Sequence, residues 1–78
     1  MTTVFIIEDH SVVVEGVLAL LQNEKEILVT GHVDTAEKCL HFLKTSQPNV
    51  VLLDINLPDI SGIDLCKIIK QQSHYHFP

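Results

Sequence analysis

Acidic residues follow two of the apolar runs of this chain at equivalent positions. Glu8 and Asp9 come directly after residues 4–7, and Asp54 comes directly after residues 50–53. If these runs are neighbouring parallel strands, their carboxyl ends meet at the edge of the sheet where ligands bind in open α/β folds. Three carboxylates that approach one another closely repel, so the arrangement favours a cation between them.

Mg²⁺ suits such a cluster best, because it prefers oxygen ligands and needs only one or two carboxylates beside water and a phosphate oxygen. Asn56, two residues after Asp54, can add its backbone carbonyl. With the cation present, a carboxylate such as Asp54 can accept a phosphoryl group. Acids after strands are also common because Asp suits turns and caps. Spacing alone therefore leaves open both a metal site and ordinary loop residues.

The elements that must position these residues alternate along the chain. Three continuous runs rich in β-branched residues predict strands covered on both faces, as in a parallel sheet. Two segments with apolar residues at i, i+3, i+4 and i+7 predict helices, and a third helix is predicted from the apolar stripe of Leu65, Cys66, Ile68 and Ile69. Ser11, then Asp34 or Thr35, then Ser61 are the expected N-caps. The strands fall at residues 4–7, 27–33 and 50–53, and the helices at residues 11–23, 35–45 and from Ser61 onward.

The order of elements is therefore β-α-β-α-β-α, with right-handed crossovers expected. A sheet of three parallel strands leaves at least one strand edge exposed, so we expect an incomplete domain that is unstable alone or associates through this edge. Residues 73–78 are expected to form a loop, in which His74 and His76 belong to a solvated tail rather than to a designed metal site.

Composition excludes several function classes. The chain has 78 residues, a net charge of −5 and five basic residues, all of them lysine, so direct contact with nucleic acid is not expected. No secretory signal or membrane span is present in the sequence. Cys39 and Cys66 lack the spacing of a metal or disulfide motif and are expected to be buried thiols. We therefore expect a cytoplasmic protein.

Two sequence blocks resemble the receiver domains of bacterial response regulators, in particular the NarL/FixJ (LuxR-like) subfamily. The first is VFIIEDH at residues 4–10, followed by Val12, Glu15, Gly16, Leu18 and Leu21 at the family's spacing. The second is VVLLDINLPDISGID at residues 50–64. Together they span nearly the whole chain. The resemblance implies a flavodoxin-like, doubly wound parallel sheet, with residues 1–78 as the first three βα units and strands 4 and 5 absent.

The resemblance also implies the roles of individual residues. Asp54 would be phosphorylated, Asp9 and Asp54 would bind Mg²⁺ directly together with the Asn56 carbonyl, and Glu8 would act mainly through a metal-bound water. His10, next to the acid pair, is interpreted as a structural residue at the pocket rim. Asp59 stands where many relatives have glycine. Pro58 and Gly62 are expected to shape the loop after Asp54.

The function implied is that of a signalling phosphoacceptor, not an enzyme, with a sensor histidine kinase as its partner. Any DNA binding would belong to an output domain outside this chain. The Ser or Thr and the Lys with which such receivers bind the phosphoryl group would follow Pro78. Two alternatives remain: a Mg²⁺-dependent phosphatase of the haloacid-dehalogenase type, which requires Asp where this chain has Asn56, and a receiver-like interaction module that is never phosphorylated.

Overall fold

The computed structural model describes residues 1–72, in which strands and helices alternate as the sequence predicts. The expected tail at residues 73–78, with His74 and His76, lies outside this part of the chain. None of the described helices has the length and apolar character required to cross a membrane. The elements in chain order are β1 (Thr2–Ile7), α1 (Ser11–Leu21), β2 (Ile27–Val33), α2 (Ala36–Leu43), β3 (Val50–Leu53) and α3 (Gly62–Gln71).

The three strands form one parallel sheet in the order β2-β1-β3. This order makes β1 and β3 neighbours, which is the condition under which their acidic ends meet. Ile7 at the end of β1 is aligned with Val33 on one side and with Leu53 on the other. The carboxyl ends of all three strands therefore meet at one edge, as the doubly wound fold requires.

Only β1 is covered on both faces. Its residues from Val4 to Ile7 are all buried, whereas burial alternates along β2 and β3. The prediction that all three strands are covered on both faces is therefore wrong for β2 and β3. The reason is their position, because each is an outer strand of the described sheet. Along each of them, every second side chain is more deeply buried and those between are more exposed. Leu28, Val50 and Leu52 remain 50%, 39% and 40% exposed.

The main core lies between the sheet and helices α2 and α3. Phe5 is 1% exposed, and its ring stacks on that of Phe42 with the centroids 3.7 Å apart. Cys39 is fully buried, as expected, and this burial raises the pKa of its thiol to about 11. Cys66 is only partly buried, so the prediction that it is a buried thiol is not fully met. The buried residues of this core are Phe5, Ile7, Ala36, Cys39, Leu43, Leu65 and Ile69.

Two of the three predicted N-caps are confirmed. The side chains of Thr35 and Ser61 accept hydrogen bonds from the backbone N–H groups of Lys38 and Asp64. Ser11 is not a cap, because it is already the first residue of α1 and the carbonyl of His10 accepts the first hydrogen bonds of the helix, from Val13 and Val14. The N-cap position of α1 is therefore occupied by His10, whose side chain does not cap the helix.

Candidate functional site

The ends of β1 and β3 bring the predicted acidic residues together. The N–H of Glu8 donates to the carbonyl of Val33 at 3.0 Å, and the N–H of Asp54 donates to the carbonyl of Ile7 at 3.0 Å. These two bonds extend the parallel pairing one residue past the strands. Asp9 then turns away from the sheet toward α1. The backbone pairing alone therefore places Glu8, at the end of β1, beside Asp54, at the end of the adjacent strand β3.

Side chains of Glu8, Asp9 and Asp54 converge there with that of His10. One ligand atom from each of the four residues lies within 4.8 Å of all the others. The carboxylates are accessible from solvent without being fully exposed: the exposed fractions are 12% for Glu8, 30% for Asp9 and 17% for Asp54. The cluster therefore forms a shallow acidic pocket that a small ion or a phosphoryl group can enter.

His10 lies at the rim of the pocket, as expected, but its contacts with the carboxylates were not anticipated. Its Nδ1 is 2.8 Å from Glu8 Oε2, 3.1 Å from Asp9 Oδ1 and 3.8 Å from Asp54 Oδ2. The hydrogen bond to Glu8 is the largest cause that raises the pKa of His10, followed by the negative charge of Asp9. When protonated, the imidazole provides a counter-charge for the acids. Its position directly after the acid pair was the only signal in the sequence.

Asp54 is oriented by the loop that follows it. The N–H of Asn56 donates to Asp54 Oδ1 at 3.1 Å, and this bond is the largest cause that lowers the pKa of the Asp54 carboxyl. Asp54 is therefore an ionised carboxylate at neutral pH, as both metal binding and nucleophilic attack require. This contact is made by the Asn56 N–H, and the role of the Asn56 carbonyl as a metal ligand stays a prediction.

The donor set fits Mg²⁺. Three carboxylates within a few ångströms supply hard oxygen ligands and more negative charge than one imidazole can neutralise. The cluster contains no cysteine, and its single histidine is bonded to two of the acids, so a soft-metal site of the zinc type is not indicated. The residues that would hold the ion are those named from the sequence: Glu8, Asp9, Asp54 and the backbone of Asn56.

The loop between β3 and α3 returns closely past Asp54. The N–H of Gly62 donates to the carbonyl of Ile55 at 2.6 Å, and Asn56 pairs with Ser61 in an isolated antiparallel bridge. A side chain at position 62 would overlap the backbone of Asp54 and Ile55. Glycine is therefore required at this position for steric reasons.

Asp59, in the same loop, makes a contact that sequence reasoning missed. Its Oδ1 accepts the N–H of Ala36 and its Oδ2 accepts the N–H of Glu37, both at 3.0 Å. The partners are 23 and 22 residues away along the chain, so no local pattern could have predicted the contact. The bond from Ala36 is the largest cause that lowers the pKa of the Asp59 carboxyl.

A parallel α/β sheet with acidic residues at the carboxyl ends of β1 and β3 belongs to the class of open α/β folds in which ligands bind beyond the strand ends. Comparison with known proteins specifies the family. The sequence model of the response regulator receiver domain matches residues 4–78. This chain therefore belongs to the response regulator receiver domain family, and its fold is the receiver fold.

Individual relatives agree with this assignment. The chain is 36% identical over 67 residues to the DNA-binding transcriptional activator DevR/DosR of Mycobacterium tuberculosis, covering 86% of this chain and 31% of that protein. It is 31% identical over 74 residues to the sensory transduction protein LytT of Bacillus cereus, covering 95% of this chain and 30% of that protein. The crystal structure of the response regulatory domain of Klebsiella pneumoniae mrkE superposes with a TM-score of 0.86 at 28% identity, covering 97% of this chain and 62% of that one.

Proposed function

We propose that this chain is the phosphoacceptor part of a two-component response regulator and is phosphorylated on Asp54 by a sensor histidine kinase in the presence of Mg²⁺. The observation that carries the proposal is the convergence of Glu8, Asp9 and Asp54 within 4.8 Å in a member of the receiver family. Acidic residues at strand ends are common, but three that meet at one point on two adjacent strands need a cation.

Each residue has a distinct role in this proposal. Asp9 and Asp54 hold Mg²⁺ directly, the backbone carbonyl of Asn56 adds a third protein ligand, and Glu8 acts through a metal-bound water. Bound Mg²⁺ supplies positive charge for the phosphoryl oxygens. The Asn56 N–H keeps one oxygen of Asp54 engaged and so fixes the orientation of the carboxylate.

The reaction is a transfer between two protein side chains. An oxygen of Asp54 forms a bond to phosphorus while the P–N bond to the phosphohistidine of the kinase breaks. The nitrogen keeps the electron pair of the broken bond, and the imidazole takes up a proton. The product is an aspartyl phosphate, which water later hydrolyses. The chain is in this sense a signalling phosphoacceptor and not an enzyme that turns over a separate substrate.

The proposal extends to the protein that contains this chain. The chain spans less than a third of the two curated relatives above, so the function of the whole protein is inferred. We assign residues 1–78 to the first three βα units of a receiver domain of the NarL/FixJ subfamily, on the basis of the two motif blocks. DevR/DosR is described as a DNA-binding transcriptional activator, which supports a cytoplasmic regulator that binds DNA through a separate output domain.

Phosphorylation by acetyl phosphate tests the assignment of Asp54. With Mg²⁺ present, the intact mass of the full-length protein should increase by one phosphate, and Asp54→Asn should prevent the increase. Chelation of Mg²⁺ should prevent it as well. Asp64→Asn is the matched control, because it removes an exposed carboxylate from the first turn of α3 and should leave labelling intact.

Two outcomes would overturn the proposal. Labelling that persists unchanged in Asp54→Asn would show that Asp54 is not the acceptor. Steady hydrolysis of a phosphate ester such as p-nitrophenyl phosphate would instead indicate a phosphatase of the haloacid-dehalogenase type.

A further inference from the structure

The Asp59 carboxylate joins two parts of the molecule that are distant in sequence. It lies in the loop between β3 and α3 and accepts hydrogen bonds from Ala36 and Glu37, the first two residues of α2. Both of its oxygens are used, and each bond measures 3.0 Å. A bidentate contact of this kind fixes the carboxylate in orientation as well as in distance.

The first turn of α2 depends on this contact for two of its N–H groups. Thr35 caps the helix by accepting the N–H of Lys38 through Oγ1. Ala36 and Glu37 donate to Asp59 instead, so the donors that an isolated helix leaves without a partner are supplied from another element. The negative charge of Asp59 is also favoured at the amino-terminal end of a helix.

Asp59 is attached to the loop that orients Asp54. Its neighbours Leu57 and Ile60 pack against the main core, and Asn56 binds Oδ1 of Asp54 through its N–H. The segment from Asn56 to Asp59 is therefore held at one end by the carboxylate of Asp54 and at the other by α2. Removing the second attachment leaves the position of Asn56 less constrained.

We propose that Asp59 is a positioning residue for the Asp54 site: by binding the first turn of α2, it holds the loop so that the Asn56 backbone meets the ion and the Asp54 carboxylate in the correct geometry. This inference rests on the proposed function, because it assumes that Asp54 and Asn56 bind Mg²⁺. It concerns a residue that touches neither the ion nor the phosphoryl group.

Mg²⁺ affinity of the full-length protein, measured by calorimetry, tests the proposal. Asp59→Ala should weaken Mg²⁺ binding about three- to tenfold, somewhat less than the effect of losing a residue bonded directly to a metal ligand. Asp59→Asn retains one carbonyl oxygen that can accept one of the two N–H groups, so its affinity should lie between those of Asp59→Ala and the wild type. Asp64→Asn, which removes a charge from α3 and leaves the contact to α2 in place, should bind Mg²⁺ within about twofold of the wild type.

Amide NMR spectra separate positioning from a purely structural role. In the wild type, Mg²⁺ should shift the Ala36 and Glu37 amides together with that of Asn56, because Asp59 links them. In Asp59→Ala, the Asn56 amide should be the only one of these three that shifts when Mg²⁺ is added. Equal Mg²⁺ affinity in folded Asp59→Ala and wild type would overturn the inference. If Asp59→Ala does not fold, the Mg²⁺ affinity of Asp59→Asn is measured instead. An affinity equal to that of the wild type would then overturn the inference.

Failure of this inference can be distinguished from failure of the proposed function. A wild-type protein that neither binds Mg²⁺ nor accepts phosphate from acetyl phosphate would overturn both. A wild-type protein that does both, together with an Asp59→Ala variant of unchanged Mg²⁺ affinity, would overturn only the role of Asp59.

Discussion

Gly62 is packed against the backbone of Asp54 and Ile55. It is buried, and a Cβ atom at this position would overlap the carbonyl oxygen of Asp54 and lie 2.8 Å from the Cα of Ile55. Both neighbours are backbone atoms at the end of β3, so they cannot move aside as a flexible side chain would. The space for a side chain could be created only by displacing the residue proposed to accept the phosphoryl group.

Alanine at position 62 should therefore destabilise the protein. We expect Gly62→Ala to lower the free energy of unfolding by about 1–3 kcal/mol, the usual effect of overpacking. Gly16→Ala is the matched control, because Gly16 lies within α1 and a Cβ there would meet nothing within 4 Å. It should raise the free energy of unfolding by about 0.5–1 kcal/mol, through the higher helix propensity of alanine. Urea denaturation of the two variants should show opposite signs, and shifts of the same sign would contradict this account.

Single residues show what the sequence could and could not predict about the site. Glu8, Asp9 and Asp54 could be assigned to one pocket because strand ends in a parallel sheet meet at a fixed edge, which needs no knowledge of side-chain conformation. The contact of His10 with these acids depends on the direction of its ring as well as on its place in the sequence. Asp59 was noted only as standing where many relatives have glycine, and its contact could not be predicted because its partners belong to another element.

Whole elements were more predictable than their ends. The β-branched runs and helical periodicities predicted all six elements, because period and side-chain type determine local structure directly. Thr35 and Ser61 were recognised as caps, but Ser11 was not one, since the turn of α1 is already closed by the His10 carbonyl. Coverage of β2 and β3 could not be read from their composition, because a continuous apolar run is the same whether one face or both are covered.

The stability gained from the hydrogen bonds between the Asp59 carboxylate and the first turn of α2 should depend on pH. Hydrogen bonds from α2 lower the pKa of Asp59, although the like charge of Asp34 lies nearby. The ionised form is thus favoured in the folded state, so its contribution to stability is full above the unfolded pKa of about 3.9 and is lost as the pH falls through the lower folded value.

Denaturation at a series of pH values should reveal this dependence. Wild type and Asp59→Asn should differ in their urea midpoints by a constant amount at neutral pH, with the wild type more stable. The difference should shrink at acid pH, where the Asp59 carboxylate becomes protonated. Comparison of the two proteins at each pH cancels the titration of the groups that do not interact with Asp59. A difference that is independent of pH, or that grows toward acid pH, would show that the charge of Asp59 does not stabilise α2.

The molecule as a whole combines an acidic surface with open strand edges. Within residues 1–72, β2 and β3 each have a neighbouring strand on one side only, and Val50 and Leu52 on β3 are 39% and 40% exposed. Unpaired backbone groups beside exposed apolar side chains form a template for association with another strand. A net charge of −5 opposes such association only weakly at physiological salt.

The 78-residue chain, produced alone, should therefore associate through β3 at micromolar concentration. Sedimentation equilibrium should show an average mass that rises with concentration, and Leu52→Lys should reduce the rise. Because this change makes the net charge less negative, a weaker association could not result from stronger overall repulsion; it would result from a charged side chain on the edge strand. Leu20→Lys alters the charge equally at a residue of α1 that is 77% exposed and should have the smaller effect. A larger effect at Leu20 would place the contact on α1, and a dilute monomer that unfolds cooperatively would contradict association altogether.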